Sequence, residues 1–257
     1  MLVMNNEGIN ILNLITFENY YCQITPLFQK ILADKIKDTS QLATKLNISK
    51  QTVLRIIKAK NYWIHCRTLL HLTELLDIKD KYLFSNISFI KTKNSFPIQF
   101  NINSLLTPAF LRILGHILGD GGIHVIEDEG KYRAFYTNNE KELLRSFTED
   151  VKKVFGDFKI YQREREVQAD EIWLPTTIGY LFYTLFKYKD FDKKKRIPKF
   201  IFAIENKEHL GAFLQALYDD EGFLYPQKNM IVIAQKNKDL MNDIREIVIK
   251  IGIIPNQ

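Results

Sequence analysis

Apolar side chains between residues 39 and 57 recur at helical spacing in two short runs, Leu42, Ala43 and Leu46, then Val53, Leu54 and Ile57. Asn47 breaks the pattern between them. Ser49 follows as an N-cap whose hydroxyl can accept an otherwise unpaired amide hydrogen, so two helices joined by a tight turn are predicted. Another helix is expected at 67–76, with Leu69, Leu72, Leu75 and Leu76 as its packing side. Ser, Asn, Lys and Pro97 then interrupt both periodicities between 85 and 103. An all-α N-terminal domain, residues 1–88, is expected to end there.

The next helix opens with Thr107 as N-cap and Pro108 in the first helical position, where its missing amide hydrogen costs nothing. After Gly121 and Gly122, 123–126 and 132–136 read as a β-hairpin around Asp128, Glu129 and Gly130. An amphipathic helix at 140–155 closed by Gly156, strands at 158–164 and 171–174 and a helix at 177–186 complete an αββαββα order over 104–200. A second unit, 204–257, starts from Asn206 with a helix, strands at 223–225 and 230–234, and a helix at 238–251. Aligned on Gly156 and Gly252, this unit is expected to lack its last strand pair and helix, to leave a sheet edge open, and to associate with itself or other chains.

Two runs repeat one device: ILGHILGDG at 113–121 and LQALYDDEG at 214–222, each an apolar helix ending in an acidic residue and a glycine. Asp120 and Glu221 would sit at the carbonyl ends of their helices, where the macrodipole disfavours negative charge, and a divalent cation between them would relieve the repulsion. Gly115 and Gly119 on one helix, and Ala212 and Ala216 on the other, form small edges that let two helices approach closely. Asp220 departs from smallness in the second run, which weakens close packing there.

This double pattern resembles the LAGLIDADG family of homing endonucleases, with Asp120 and Glu221 on the acidic position, Gly115 and Ala216 on the first small position and Gly119 on the second. The run KRIPKF at 195–200 matches the Ile-Pro element that precedes the second motif in that family. The resemblance covers roughly 104–257 and implies two helices packed side by side, one catalytic carboxylate from each, Mg²⁺ as the metal, and sheets lying across double-stranded DNA. The implied fold class is α+β, an all-α helix-turn-helix domain followed by two αββαββα repeats, the second incomplete. It implies a site-specific DNA endonuclease; a catalytically inactive DNA-binding regulator of the same fold is the alternative, and an RNA-splicing maturase a third.

The N-terminal helices resemble a phage-repressor-type DNA-binding domain. Their second helix would offer Lys50, Gln51, Thr52 and Arg55 to base edges and phosphates. In the first repeat Arg133, Lys159, Tyr161, Arg163 and Arg165 are candidate DNA contacts, Arg163 and Arg165 sharing a face by period two. Lys228 and Lys236 by the second hairpin are candidates for the basic group near the reacting phosphate, and the basic run at 193–196 reads as a solvated linker, with phosphate contact and nuclear targeting as alternatives. His116 is taken as structural, and His124, just after Asp120, as able to approach the site.

Composition changes this picture little. A formal charge of +6 over 257 residues favours a polyanionic partner. Cys22 and Cys66, the two cysteines, give neither a disulfide framework nor zinc spacing, and a cytoplasmic protein is expected. No apolar run is long enough for a membrane span, and no Walker loop, GxSxG elbow or dinucleotide fingerprint is present.

Overall fold

The computed structural model describes residues 17–93, 95–99, 106–163, 168–186 and 195–255. The fold is mixed α+β, and the described residues divide into two compact units, one within Thr16–Ile102 and the other within Asn103–Gln257.

The N-terminal unit runs β1 (Tyr20–Ile24), α1 (Pro26–Lys35), α2 (Thr39–Leu46), α3 (Lys50–Lys58), β2 (Ile64–His65), α4 (Cys66–Leu75), α5 (Asp80–Phe84) and β3 (Ile87–Thr92). It is not all-α: β2, β1 and β3 form a three-stranded antiparallel sheet in that order. Tyr20, Cys22 and Ile24 alternate buried with more open neighbours, the period-two signature of a strand, and β3 lies inside the stretch read as irregular. Helices α2 and α3 form as expected. Asn47 takes a left-handed conformation between them, φ 52°, and Ser49 Oγ accepts the Thr52 amide hydrogen at 3.0 Å. The buried side of α3 is Val53 and Ile56 rather than Val53, Leu54 and Ile57, and Leu75 of α4 is exposed. Three and four residues separate neighbours on a helix face, and Val53 to Ile56 is the spacing the turn selects.

The second unit begins with α6 (Pro108–Leu118), whose first turn is capped by Thr107. Then come β4 (Gly121–Ile126), β5 (Lys131–Asn138), α7 (Lys141–Phe155), β6 (Tyr161–Arg163), β7 (Asp170–Trp173) and α8 (Thr176–Phe186). Gly156, at φ 83°, ends α7 in a conformation that costs a side-chain residue energy. The sheet order is β4-β5-β7-β6, all antiparallel. One face is buried through Ala134, Tyr136 and Ile172, and Phe110, Phe155 and Phe182 cluster in the core it helps to close.

The chain continues through α9 (Lys207–Glu221), capped by the Asn206 side chain, then β8 (Gly222–Tyr225), β9 (Met230–Ile233) and α10 (Lys238–Ile251). Strands β8 and β9 form a two-stranded sheet. Leu210, Phe213 and Leu217 of α9 are buried, as are Leu240, Ile244 and Ile247 of α10. Phe223, Leu224 and Ile231 on the hairpin are exposed. Among the described residues no helix is long and apolar enough to cross a membrane.

Candidate active site

Helices α6 and α9 pack side by side at backbone distance. A Cβ placed on Gly115 would lie 2.7 Å from Ala216 Cβ and 2.7 Å from the Phe213 carbonyl oxygen. One turn on, a Cβ on Gly119 would lie 2.4 Å from Asp220 Oδ2. Asp220 therefore does not loosen the pair as its size suggests; its side chain is fully buried against the space Gly119 leaves open.

This pairing brings the two acidic ends together. Helix α6 stops at Leu118 with Gly119 as its C-cap, so Asp120 stands just past its end, whereas Glu221 is the last residue of α9. Burial, the charge on Asp220 and the charge on Glu221 push the Asp120 carboxyl up to about 6, against the opposing pull of Lys195 and His116. The electrostatics are those of like charges held together.

Each carboxyl is held by an amide from the hairpin that follows its helix. Asn138 Nδ2 donates to Asp120 Oδ2 at 3.1 Å, and Gln235 Nε2 donates to Glu221 Oε1 at 2.9 Å. The two amides are equivalent by register: Gly121 pairs with Tyr136 and Gly222 with Ile233, and each amide lies two residues beyond its pairing position. Among the described residues, Asp120 Oδ1 and Glu221 Oε2 have no protein hydrogen-bond donor.

Lys195 is the nearby cation. Its Nζ donates to the Gly119 and Gly121 carbonyl oxygens at 2.8 and 3.0 Å, tying it to the end of α6. Arg196 grips Asp243 of α10 with two bonds of 2.6 Å. The described part of the basic run is thus tied into the structure by both side chains, although Arg196 stays exposed; 193 and 194 lie outside the described residues. Exposed Lys228 sits 5.2 Å from the Tyr225 ring centre, and Lys236 is exposed. Exposed His124 faces Arg133 across the β4–β5 ladder. His116, read as structural, is the histidine at the site: its Nδ1 lies 3.1 Å from Asp220 Oδ1.

The open face of the four-stranded sheet carries Arg133, Tyr161 and Arg163, all exposed, beside Phe135 and Trp173. Lys159 is exposed just ahead of β6, and Arg165 lies outside the described residues. In the other unit Lys50, Gln51 and Arg55 are exposed on α3, while Thr52 is partly covered and its hydroxyl lies 2.9 Å from Ser49 Oγ.

The donors fit a hard divalent cation. Two carboxyls with open oxygens and mutual repulsion suit such an ion, which oxygen ligands can hold together with waters and substrate phosphates. No group of three or more His, Cys, Asp or Glu among the described residues could hold a metal by itself.

No protein-family model matches the chain. It is 29% identical over 143 residues to a replication factor C small subunit of Methanocaldococcus jannaschii, covering 55% of this chain and 7% of that protein. It is 24% identical over 153 residues to a glutamine–fructose-6-phosphate aminotransferase of the same organism, covering 58% of this chain and 13% of that protein. The chain thus spans only a small part of these curated relatives. Solved structures of the homing endonuclease I-DmoI, among them a complex with DNA and Ca, are similar in fold at 19% identity, covering 59% of this chain; one of them has a TM-score of 0.44 with 80% of its own chain covered.

Proposed function

We propose that this chain is a metal-dependent endonuclease of double-stranded DNA, with Asp120 and Glu221 holding the metal. The observation that carries the reading is the convergence of these two carboxyls at the ends of paired helices, each braced by one amide and each keeping an open oxygen. Mg²⁺ bound there would supply an activated water and charge stabilisation at the reacting phosphodiester. Asn138 and Gln235 fix the carboxyl planes. Lys195 places positive charge beside Asp120 and offsets negative charge that builds on a phosphate at the site, a role for which it is a better candidate than Lys228 or Lys236.

Arg133, Lys159, Tyr161 and Arg163 would contact DNA from the open sheet face, with Arg165 expected to join them. The α2–α3 pair is proposed as a helix-turn-helix contact through Lys50, Gln51, Thr52 and Arg55. Arg133→Ala and Arg163→Ala are each expected to weaken binding across all sequences and to lower the salt slope by about one. Lys50→Ala or Arg55→Ala should weaken binding to a selected site; a variant with wild-type affinity at every salt concentration removes that residue from the interface.

A selection followed by incubation separates the enzyme from a non-cleaving regulator. DNA recovered from a random library by binding to the full chain is incubated with it, with and without Mg²⁺. Cut ends only with Mg²⁺ support the endonuclease; intact selected DNA under both conditions supports the regulator. Self-association through the β8–β9 hairpin belongs to this reading too, because Leu224 and Ile231 are 64% and 70% exposed. Ile231→Lys should lower the sedimentation coefficient of any dimer to that of a monomer.

A further inference from the structure

The helix pair needs something opposite Gly119, and a small apolar side chain would satisfy packing as Ala216 does opposite Gly115. The chain instead buries a carboxyl, which is costly unless every oxygen is met by a donor. Three donors meet it. Tyr136 Oη donates to Asp220 Oδ1 at 2.7 Å, the Asp120 backbone N–H donates to Oδ2 at 3.3 Å, and His116 Nδ1 lies 3.1 and 3.2 Å from the two oxygens.

Building on the metal-centre reading above, we propose that Asp220 is a positioning residue that sets the direction of the Asp120 carboxyl. It acts by two routes. One is direct, through the Asp120 backbone amide. The other runs through side chains: Tyr136 donates to Asp220 and accepts from Asn138 Nδ2 at 3.2 Å, and the same Nδ2 donates to Asp120 Oδ2 at 3.1 Å. Asn138 is itself anchored, its Oδ1 accepting the Glu140 amide hydrogen at 2.8 Å. His116, its ring centre 4.7 Å from that of Tyr136, closes the network on the α6 side.

Among the described residues the Glu221 half has no equivalent of the Tyr136–Asp220 pair, although Gln235 Oε1 accepts the Asn237 amide hydrogen at 3.3 Å as Asn138 Oδ1 accepts that of Glu140. Ile233 stands at the register position of Tyr136, and Gly119 at that of Asp220, so Gln235 holds Glu221 without a buried acid behind it. Asp220 is therefore specific to one of the two ligands.

Space-filling and positioning make different predictions for Asp220→Asn. The amide has almost the same volume, but it turns one of the two acceptor oxygens into a donor, which then opposes either the Asp120 N–H or the Tyr136 hydroxyl. Binding of Mn²⁺ to the full chain, followed by electron paramagnetic resonance, reads the site without cleavage. Asp220→Asn and Tyr136→Phe are each expected to weaken Mn²⁺ binding by about tenfold or more. The double variant should lose little beyond either single one, since both cut the same connection. Asp120→Asn serves as the reference loss. Melting temperatures of all variants are recorded, and Tyr136→Phe carries the test if Asp220→Asn does not fold. Wild-type Mn²⁺ affinity in the variants, alongside loss in Asp120→Asn, overturns the positioning role alone. A wild-type chain that binds no Mn²⁺ overturns the metal centre and the positioning role together.

Discussion

Asp120→Asn is expected to abolish Mg²⁺-dependent cleavage while making the protein more stable at neutral pH. The carboxyl titrates near 6 in the folded chain because burial, Asp220 and Glu221 all oppose its charge, against an ordinary value of 3.8. The sign follows directly. Ionising a group whose folded value is raised costs folding free energy; the penalty is absent below about pH 4, grows between there and pH 6, and is complete above it. Asparagine carries no charge to bury, so the variant should gain about 1–2 kcal/mol at pH 8 once screening of a half-exposed group is allowed for. The gain should vanish at pH 4. Urea unfolding at the two pH values measures it.

Added Mg²⁺ should reverse the order, raising the melting temperature of the wild-type chain but not of the variant, because a ligand stabilises the state that binds it. Glu221→Gln should likewise stop cleavage, and DNA affinity of either variant should stay within about tenfold, since each loses a metal ligand and no base contact. Cutting of selected DNA by either variant at the wild-type rate would sink the two-carboxylate centre.

The second large effect is expected at Gly115. Its missing Cβ is the reason α6 and α9 meet at backbone distance: an added methyl would sit 2.7 Å from both Ala216 Cβ and the Phe213 carbonyl oxygen. The helices would have to part. Gly115→Ala should cost about 1–3 kcal/mol, typical of overpacking a close-fitted core, and should depress cleavage further than stability, because parting the helices also parts Asp120 from Glu221. Gly211→Ala is the matched control. Nothing lies within 4 Å of a Cβ there, and replacing a helical glycine by alanine gains up to about 1 kcal/mol. Equal melting temperatures for Gly115→Ala and the wild type would show that the pair is not tightly seated.

The sequence made the second unit legible because its elements advertise themselves. Thr107, Asn206 and Gly156 mark helix ends, and the glycines after Asp120 and Glu221 mark where each hairpin starts. The acidic pair was legible for the same reason, as two endings of one repeated pattern. Its supports were not. Asn138 and Gln235 reach their carboxyls from 18 and 14 residues away, through ladder register that no local window displays. Lys195 arrives from 76 residues beyond Gly119 in the chain. Asp220 read as a defect in a small-residue edge, since nothing in a helical pattern reveals that Tyr136 and His116 wait opposite.

The N-terminal sheet was missed for a simpler reason. Its strand β2 has two residues, too few for any period, and only two of the six positions in β3 are buried. Alternation in β1 was hidden because Tyr20 and Tyr21 are equally apolar in composition although one is buried and the other is not.

The fit of Asp220 against Gly119 also means that the two repeats are not exchangeable parts. Two copies of the first repeat, meeting as α6 and α9 do, would set Gly119 against Gly119, leaving a hole in the seam and the Tyr136 hydroxyl without its acceptor. Two copies of the second would press Asp220 against Asp220, a pair of buried acids that could not both ionise. The seam is thus asymmetric within one chain, and neither half is suited to pair with a copy of itself in this way, because each needs the residue that the other supplies.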